Sequence, residues 1–386
     1  MIFNLNKMIN QDKQEDDKQK KKRILSKFVG DNSDDLEETK NNYIGSGAFG
    51  LVAEIKYKGD SKKKYVAKVS ERNKEYLNES DIILEFRGPN IVKFIKIYQK
   101  KYENKDYDLI LMEKASFKDL NSFIRNLKEK NNLELIFKNP FEIVGDNLIR
   151  YIVKQLMKGF ETFYLGNYCH FDFKPENTLI FDNLVAKLSD FGFLRNPEKI
   201  KDNNNKVEVP GFTPGYIPPE YYYNDNHSIS VEEASKFDYF ALGATIYFIK
   251  YGKIMMEYPK FKKSIQYADY MIKLIERAID KIQSTKSNDK DFNEFLISLI
   301  QYKTENRSSF EEIYRNKWLN KNWKKILEIK ENNISEEKNL IIELDKSEFL
   351  FEKNKHINEQ RKQTGIINTN ESKSNKIHYH KFKLKI

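Results

Sequence analysis

A single cysteine, Cys169, stands in a chain of 386 residues. This excludes an intramolecular disulfide framework and a zinc site built on cysteine pairs, and it suits a reducing compartment. No apolar run approaches the ~20 residues that a membrane-crossing helix needs. The apolar start, Met1-Ile2-Phe3-Asn4-Leu5, is too short for a secretory signal. The chain is therefore expected to be soluble and intracellular, cytoplasmic with nuclear entry as an alternative. No internal repeat is present. With 39% hydrophobic and 13% aromatic residues the chain can build a packed core, so wholesale disorder is excluded. The formal net charge of +10 favours acidic partners electrostatically. No aromatic-rich basic motif accompanies it, so nucleic acid is not expected as a partner, and the excess lysine is assigned to a solvated surface.

Residues 1–41 read as a charged, flexible arm. A basic run (Lys18, Lys20-Lys21-Lys22-Arg23) is followed by acidic Asp31–Glu38, and the basic run is either a solvated tail or a nuclear import signal. From Asn42 the character changes. Leu51, Ala53, Ile55 and Tyr57 alternate with Val52, Glu54, Lys56 and Lys58, the period of a strand. Lys64–Val69, Ile91–Tyr98 and Tyr107–Met112 read as further strands, and Arg72–Phe86 as a helix. Beyond Ser116 the pattern is helical. A helix capped by Asp146 places Ile149, Ile152, Val153, Leu156, Phe160 and Phe163 on one face, and another spans Phe237–Tyr251. Beyond Asn320 the chain turns Lys/Glu/Asn-rich. A helix or two are expected to about Lys355, with disorder over 361–386.

Gly45-Ser46-Gly47-Ala48-Phe49-Gly50-Leu51-Val52 is a glycine-rich loop whose backbone can fold over phosphates. Dinucleotide folds share this spacing but follow it with a helix, and here a strand follows. Lys68 lies 18 residues past Gly50. Next comes His170-Phe171-Asp172-Phe173-Lys174-Pro175-Glu176-Asn177, and 13 residues past Asn177 stands Asp190-Phe191-Gly192. Thr213-Pro214-Gly215-Tyr216-Ile217-Pro218-Pro219-Glu220, Asp238 and Arg307 complete the series. In this order the motifs resemble the eukaryotic protein kinase family, Ser/Thr type, over about residues 42–320.

The resemblance implies an α+β, two-lobed fold. A small antiparallel-sheet lobe with one helix (42–112) is joined by a hinge (113–116) to a larger, mainly helical lobe (117–320), and a charged extension (321–386) follows. It implies ATP and Mg2+ as cofactors and Ser/Thr hydroxyls of proteins as acceptors. Gly45, Gly47 and Gly50 would cover the phosphates. Lys68 would reach them, held by Glu79, with Glu75 and Glu85 as alternatives; the short Lys68–Glu79 spacing implies a helix lacking a turn at its start. Val52, Ala67 and Leu179 would sandwich the purine beside Met112. The Glu113 carbonyl and Ala115 amide would bond adenine, and Asp119 would bind ribose or cap a helix. Asp172 would accept the acceptor hydroxyl's proton, Lys174 would face the γ-phosphate, and Asn177 and Asp190 would hold magnesium. Thr213 would bond Asp172 and Lys174, Glu220 would pair with Arg307, and Asp238 would anchor the catalytic loop. Glu176 and Asp119 stand where basic-directed relatives bind substrate arginines, although Phe248 replaces a further Glu of that set. The competing reading is a pseudokinase scaffold, against which Lys68, Asp172, Asn177 and Asp190 are all retained.

Two departures coincide. Phe171 replaces the arginine that in regulated members grips an activation-loop phosphate. The stretch Phe193–Phe212 contains no Ser, Thr or Tyr to carry one. Activity is therefore expected not to await phosphorylation there.

Overall fold

Strands that alternate in sequence bury one face in space, and this organises the first part of the molecule. The computed structural model describes residues 18–47, 50–60, 63–72, 79–129, 146–211, 213–223, 227–256, 264–284, 289–321, 327–330 and 339–342. A helix over residues 18–31 (α1) leads into β1 (Leu36–Gly47), β2 (Gly50–Tyr57) and β3 (Tyr65–Glu71). A single helical turn, α2 (Glu79–Ile82), precedes β4 (Phe94–Tyr102) and β5 (Lys105–Glu113). The five strands form one antiparallel sheet in the order β1-β2-β3-β5-β4. Glu103 and Asn104, both at positive φ (50° and 61°), make the two-residue turn between β4 and β5.

The flexible arm expected over 1–41 is corrected from residue 18 onward by α1 and the start of β1, and its first 17 residues lie outside the described residues. Ile24, Leu25, Phe28 and Val29 are buried and pack against Leu51, Ala53, Ala67, Val69, Leu109 and Leu111 on the outer face of the sheet. Their spacing of one, three and four residues is a helical stripe, each side chain worth roughly 1.5–3 kcal/mol of apolar burial before ordering costs. The Asn32 side chain ends the helix by donating to the Phe28 carbonyl at 2.7 Å. The helix expected over Arg72–Phe86 is described only from Glu79, where it lasts one turn before a turn at Ile83–Glu85; Glu75 lies outside the described residues. The strand read at Ile91–Tyr98 starts at Phe94 instead.

The second lobe begins with α3 (Leu120–Glu129) and α4 (Asp146–Leu165). A β6–β7 hairpin follows (Thr178–Ile180, Ala186–Leu188). Then come α5 (Pro197–Ile200), β8 (Lys206–Glu208), β9 (Ser228–Ser230) and α6 (Val231–Ser235). The helix α7 (Phe237–Tyr251) is buried on every side from Phe237 to Lys250, as a helix at the centre of a bundle must be. Gly243 permits this packing, since a Cβ there would sit 2.6 Å from Ile300 Cγ2. Around α7 lie α8 (Ser264–Ser284), α9 (Lys290–Leu299) and α10 (Phe310–Tyr314).

Beyond residue 321 the described segments are two antiparallel strands, β10 (Leu327–Lys330) and β11 (Asn339–Ile342), where helix was expected. The disorder expected over 361–386 lies outside the described residues. Among the described residues no helix is long and apolar enough to cross a membrane.

Candidate active site

Strand β3 sets the first half of the site by its pleat. Side chains two apart share a face, so Lys68 keeps company with Val66, while Ala67 points the other way. Lys68 pairs across the sheet with Val52, and Val66 pairs with Met112. Ala67 pairs with Ala53 and Leu111 and lies in the cluster that receives α1. The assignment of Ala67 to the purine sandwich is therefore corrected. Val66 is the residue beside Val52 and Met112, and the period of two was the signal that could have found it. At the sheet's rim Gly45 pairs with Val52 and Gly47 with Gly50. Gly50 has φ +140° and would place a Cβ 2.5 Å from the Val69 carbonyl oxygen, so only glycine fits. The loop tip, Ala48-Phe49, lies outside the described residues.

Lys68 is buried between two carboxylates, with Nζ 2.6 Å from Glu79 Oε2 and 2.7 Å from Asp190 Oδ1. Burial favours the neutral amine, but Asp190 and Glu79 outweigh it and raise the lysine's pKa. Conversely, burial resists ionisation of Asp190, yet the Lys68 ammonium holds its carboxyl below the usual range. Glu79, not Glu85, is the partner: the Glu85 carboxylate accepts from the Tyr168 hydroxyl at 3.3 Å. Glu79 also accepts from the Phe191 backbone amide at 3.2 Å, tying α2 to Asp190-Phe191-Gly192. The Phe191 ring is wedged against Phe94, Phe163 and His170 at centroid distances of 5.7, 5.5 and 5.7 Å.

Asp238, on α7, builds the loop at residues 170–177 by accepting from the amides of His170 (2.6 Å) and Phe171 (3.0 Å). These bonds hold Phe171 at φ 61°, a conformation costly for a bulky residue. Asp172 then meets Lys174 at 2.7 Å, and the Thr213 hydroxyl donates to it at 2.5 Å. Lys174 also reaches Thr213 Oγ1 at 2.6 Å, closing a triangle. The Asn177 amide donates to the Asp172 carbonyl (2.8 Å) and carboxylate (3.1 Å), so its oxygen is the side-chain atom that could face a cation. Ser189 bonds the Asn177 carbonyl through its amide (2.9 Å) and hydroxyl (3.0 Å), bringing Asn177 and Asp190 to adjoining chain ends. Two oxygen donors without imidazole or thiolate fit Mg2+, which keeps waters and takes further oxygens from phosphates.

At the linker, Glu113 accepts from the Lys93 amide (2.7 Å) and pairs with Lys187 (2.6 Å), leaving the backbone of Glu113–Ala115 as the connecting strand end. Leu179 lies half-buried on β6. Asp119 caps α3, accepting from the Ser122 amide (2.7 Å) and hydroxyl (2.8 Å); of its two expected roles, this geometry realises the cap. Glu176 accepts from Asn121 at 2.8 Å, and Asn121 in turn accepts from exposed Arg125 at 2.8 Å.

The segment after Asp190 is fixed by backbone pairing. Cys169 and Arg195 exchange two backbone hydrogen bonds (2.8 and 3.0 Å). The Arg195 guanidinium donates to the carbonyls of Gly192 (2.9 Å) and Leu194 (2.8 Å). Farther on, β8 pairs with β9 and fully buries Val207 opposite Ile229. Phe171 is buried against Phe237 at 5.4 Å. Glu220 and Arg307 form a two-pronged ion pair at 2.7 and 3.0 Å, both essentially inaccessible to solvent.

Residues 39–319 match the family model described as the protein kinase domain. Among curated relatives, a Drosophila melanogaster cGMP-dependent protein kinase (isozyme 2 forms cD5/T2) is 26% identical over 288 residues, covering 71% of this chain and 27% of that protein. The interferon-induced, double-stranded RNA-activated protein kinase of Rattus norvegicus is 25% identical over 301 residues, 75% of this chain and 55% of that protein. The serine/threonine-protein kinase atg1 of Dictyostelium discoideum is 26% identical over 295 residues, 72% of this chain and 38% of that protein. The chain thus spans between about a quarter and just over half of the length of these relatives. The family match takes in well over half of the 386 residues and every loop described above, and the chain accordingly belongs to the protein kinase family.

Proposed function

We propose that this chain transfers the γ-phosphoryl group of ATP to Ser or Thr hydroxyls of protein substrates. The observation that carries the reading is the closed triangle of Asp172, Lys174 and Thr213 beside the Lys68–Glu79–Asp190 cluster. Asp172 orients the acceptor hydroxyl and takes its proton, and Thr213 and Lys174 hold that carboxylate in place. Lys174 and Lys68 place positive charge where phosphate oxygens carry negative charge in the transition state. Val52, Val66 and Leu179 enclose the purine, and the Glu113 carbonyl and Ala115 amide bond its edge. Mg2+, held by Asn177 and Asp190, would neutralise charge on the phosphates. The small lobe, the hinge at 113–116 and the large lobe from 117 to 320 divide the labour in that order.

The test is γ-labelled ATP with purified full chain on matched Ser, Thr and Tyr peptides. Label on Ser and Thr peptides is expected. Nucleotide binding without transfer would instead identify a pseudokinase scaffold. Because Asn121 occupies Glu176 and Arg125 stands beside it, arginine before the acceptor should confer no advantage among those peptides.

Activity is further expected without phosphorylation of the activation segment. The β8–β9 pairing and the two backbone bonds between Arg195 and Cys169 order that segment without a phosphate. Phosphatase-treated enzyme should retain its full rate. Inactive treated enzyme that recovers on rephosphorylation would refute this.

A further inference from the structure

The helical turn that carries Glu79 is short, and a residue outside every motif holds it. Arg72 follows the last residue of β3, and its amide donates to the Asp106 carbonyl at 2.8 Å, extending the β3–β5 ladder by one bond. From that fixed base its guanidinium spans to two carboxylates. Nη1 reaches both oxygens of Asp108 on β5 (3.0 and 2.9 Å) and the Ser80 hydroxyl (2.9 Å). Nη2 reaches both oxygens of Asp81 (2.9 and 3.0 Å). Ser80 closes the network by donating to Asp108. Ser80 and Asp81 are the two residues that follow Glu79, so the clamp grips the turn directly beside the carboxylate that holds Lys68.

We infer that Arg72 is a positioning residue for phosphoryl transfer, locking α2 to the sheet so that Glu79 stays paired with Lys68 and bonded to the Phe191 amide. The inference rests on the kinase reading above. Planar guanidinium geometry makes this lock specific, since one fork engages two carboxylates with defined directions, which an ammonium cannot do. Asp108 is almost wholly buried, and the Arg72–Asp108 contact is shielded from salt far more than a surface pair. The lock therefore acts on orientation: Lys68 and the Phe191 amide fix Glu79 itself, and Arg72 fixes the next two residues of the described turn against the sheet.

A double-mutant cycle on the full chain tests this, with kcat at saturating ATP as the readout and a single cooperative melt as proof of folding. Arg72→Ala should lower kcat at least tenfold, and Arg72→Lys should fall between it and wild type. On an Glu79→Gln background Arg72→Ala should cost nothing further, because the pair acts as a unit. Wild-type kcat in folded Arg72→Ala, or a full multiplicative loss in the double variant, would overturn the inference. Should Arg72→Ala fail to fold, Asp81→Ala keeps Asp108 compensated and removes the turn's charged contact, leaving only the bonds through Ser80; a several-fold loss of kcat is expected, and an unchanged rate counts against the lock. If wild type itself transfers no phosphate, the kinase reading fails separately. The same cycle is then read on Mg–ATP affinity, where unaltered binding in Arg72→Ala rejects the lock.

Discussion

Asp172→Asn is expected to reduce kcat by roughly 10²–10⁴-fold, the usual contribution of a positioned general base, equivalent to about 3–5 kcal/mol of lost transition-state stabilisation. Asparagine preserves the shape of the side chain but cannot take a proton. It also brings an amide nitrogen among groups that all seek an acceptor: Lys174 Nζ, the Thr213 hydroxyl and the Asn177 amide. The Lys68 cluster is untouched, so the KM for ATP should change little while kcat falls. Steady-state transfer measured against ATP concentration separates the two. A raised KM with kcat unchanged would mean that Asp172 serves binding rather than chemistry.

The largest effect on stability is expected from Glu220→Ala. Arg307 would keep the carbonyls of Gln301 and Lys236 and its place over the Phe240 ring, yet its charge would have no counterion. Breaking one side of such a buried pair costs about 3–5 kcal/mol, or on the order of 10 °C in the unfolding midpoint of a domain this size. The loss should be nearly independent of salt, because solvent does not reach the pair. A double apolar replacement, Glu220→Leu with Arg307→Met, should recover most of the loss, since the penalty lies in the stranded charge. Thermal melts of the three proteins at low and high salt check both points, and a small or strongly salt-dependent loss would contradict the burial argument.

The legible parts of this molecule were those in which chemistry is written at fixed spacing along one stretch of chain. Asp172, Lys174 and Asn177 belong to one loop, and their short separation foretold that the three side chains would meet. Asp190 returns to them through a hairpin of short strands. Other parts depended on geometry that a linear reading blurs. Val66 and Ala67 differ by one position, and in a pleated strand one position is the difference between the nucleotide face and the outer face. The stripe Ile24, Leu25, Phe28, Val29 was hidden by the lysines around it, although its helical spacing was present. Arg72 gave no signal at all, because its partners come from two separate elements and only folding brings them to one guanidinium.

The helix α1 carries a lesson about where this protein can be cut. The match to the protein kinase domain starts at residue 39, after α1 has ended. A polypeptide trimmed to 39–319 would keep every residue of the candidate active site and still lose the lid over Leu51, Ala53, Ala67, Val69, Leu109 and Leu111. Those side chains would meet water as one continuous oily plane on an exposed sheet, the kind of surface on which copies stick to one another. For this chain the unit of ancestry and the unit of folding have different borders, and the second begins earlier.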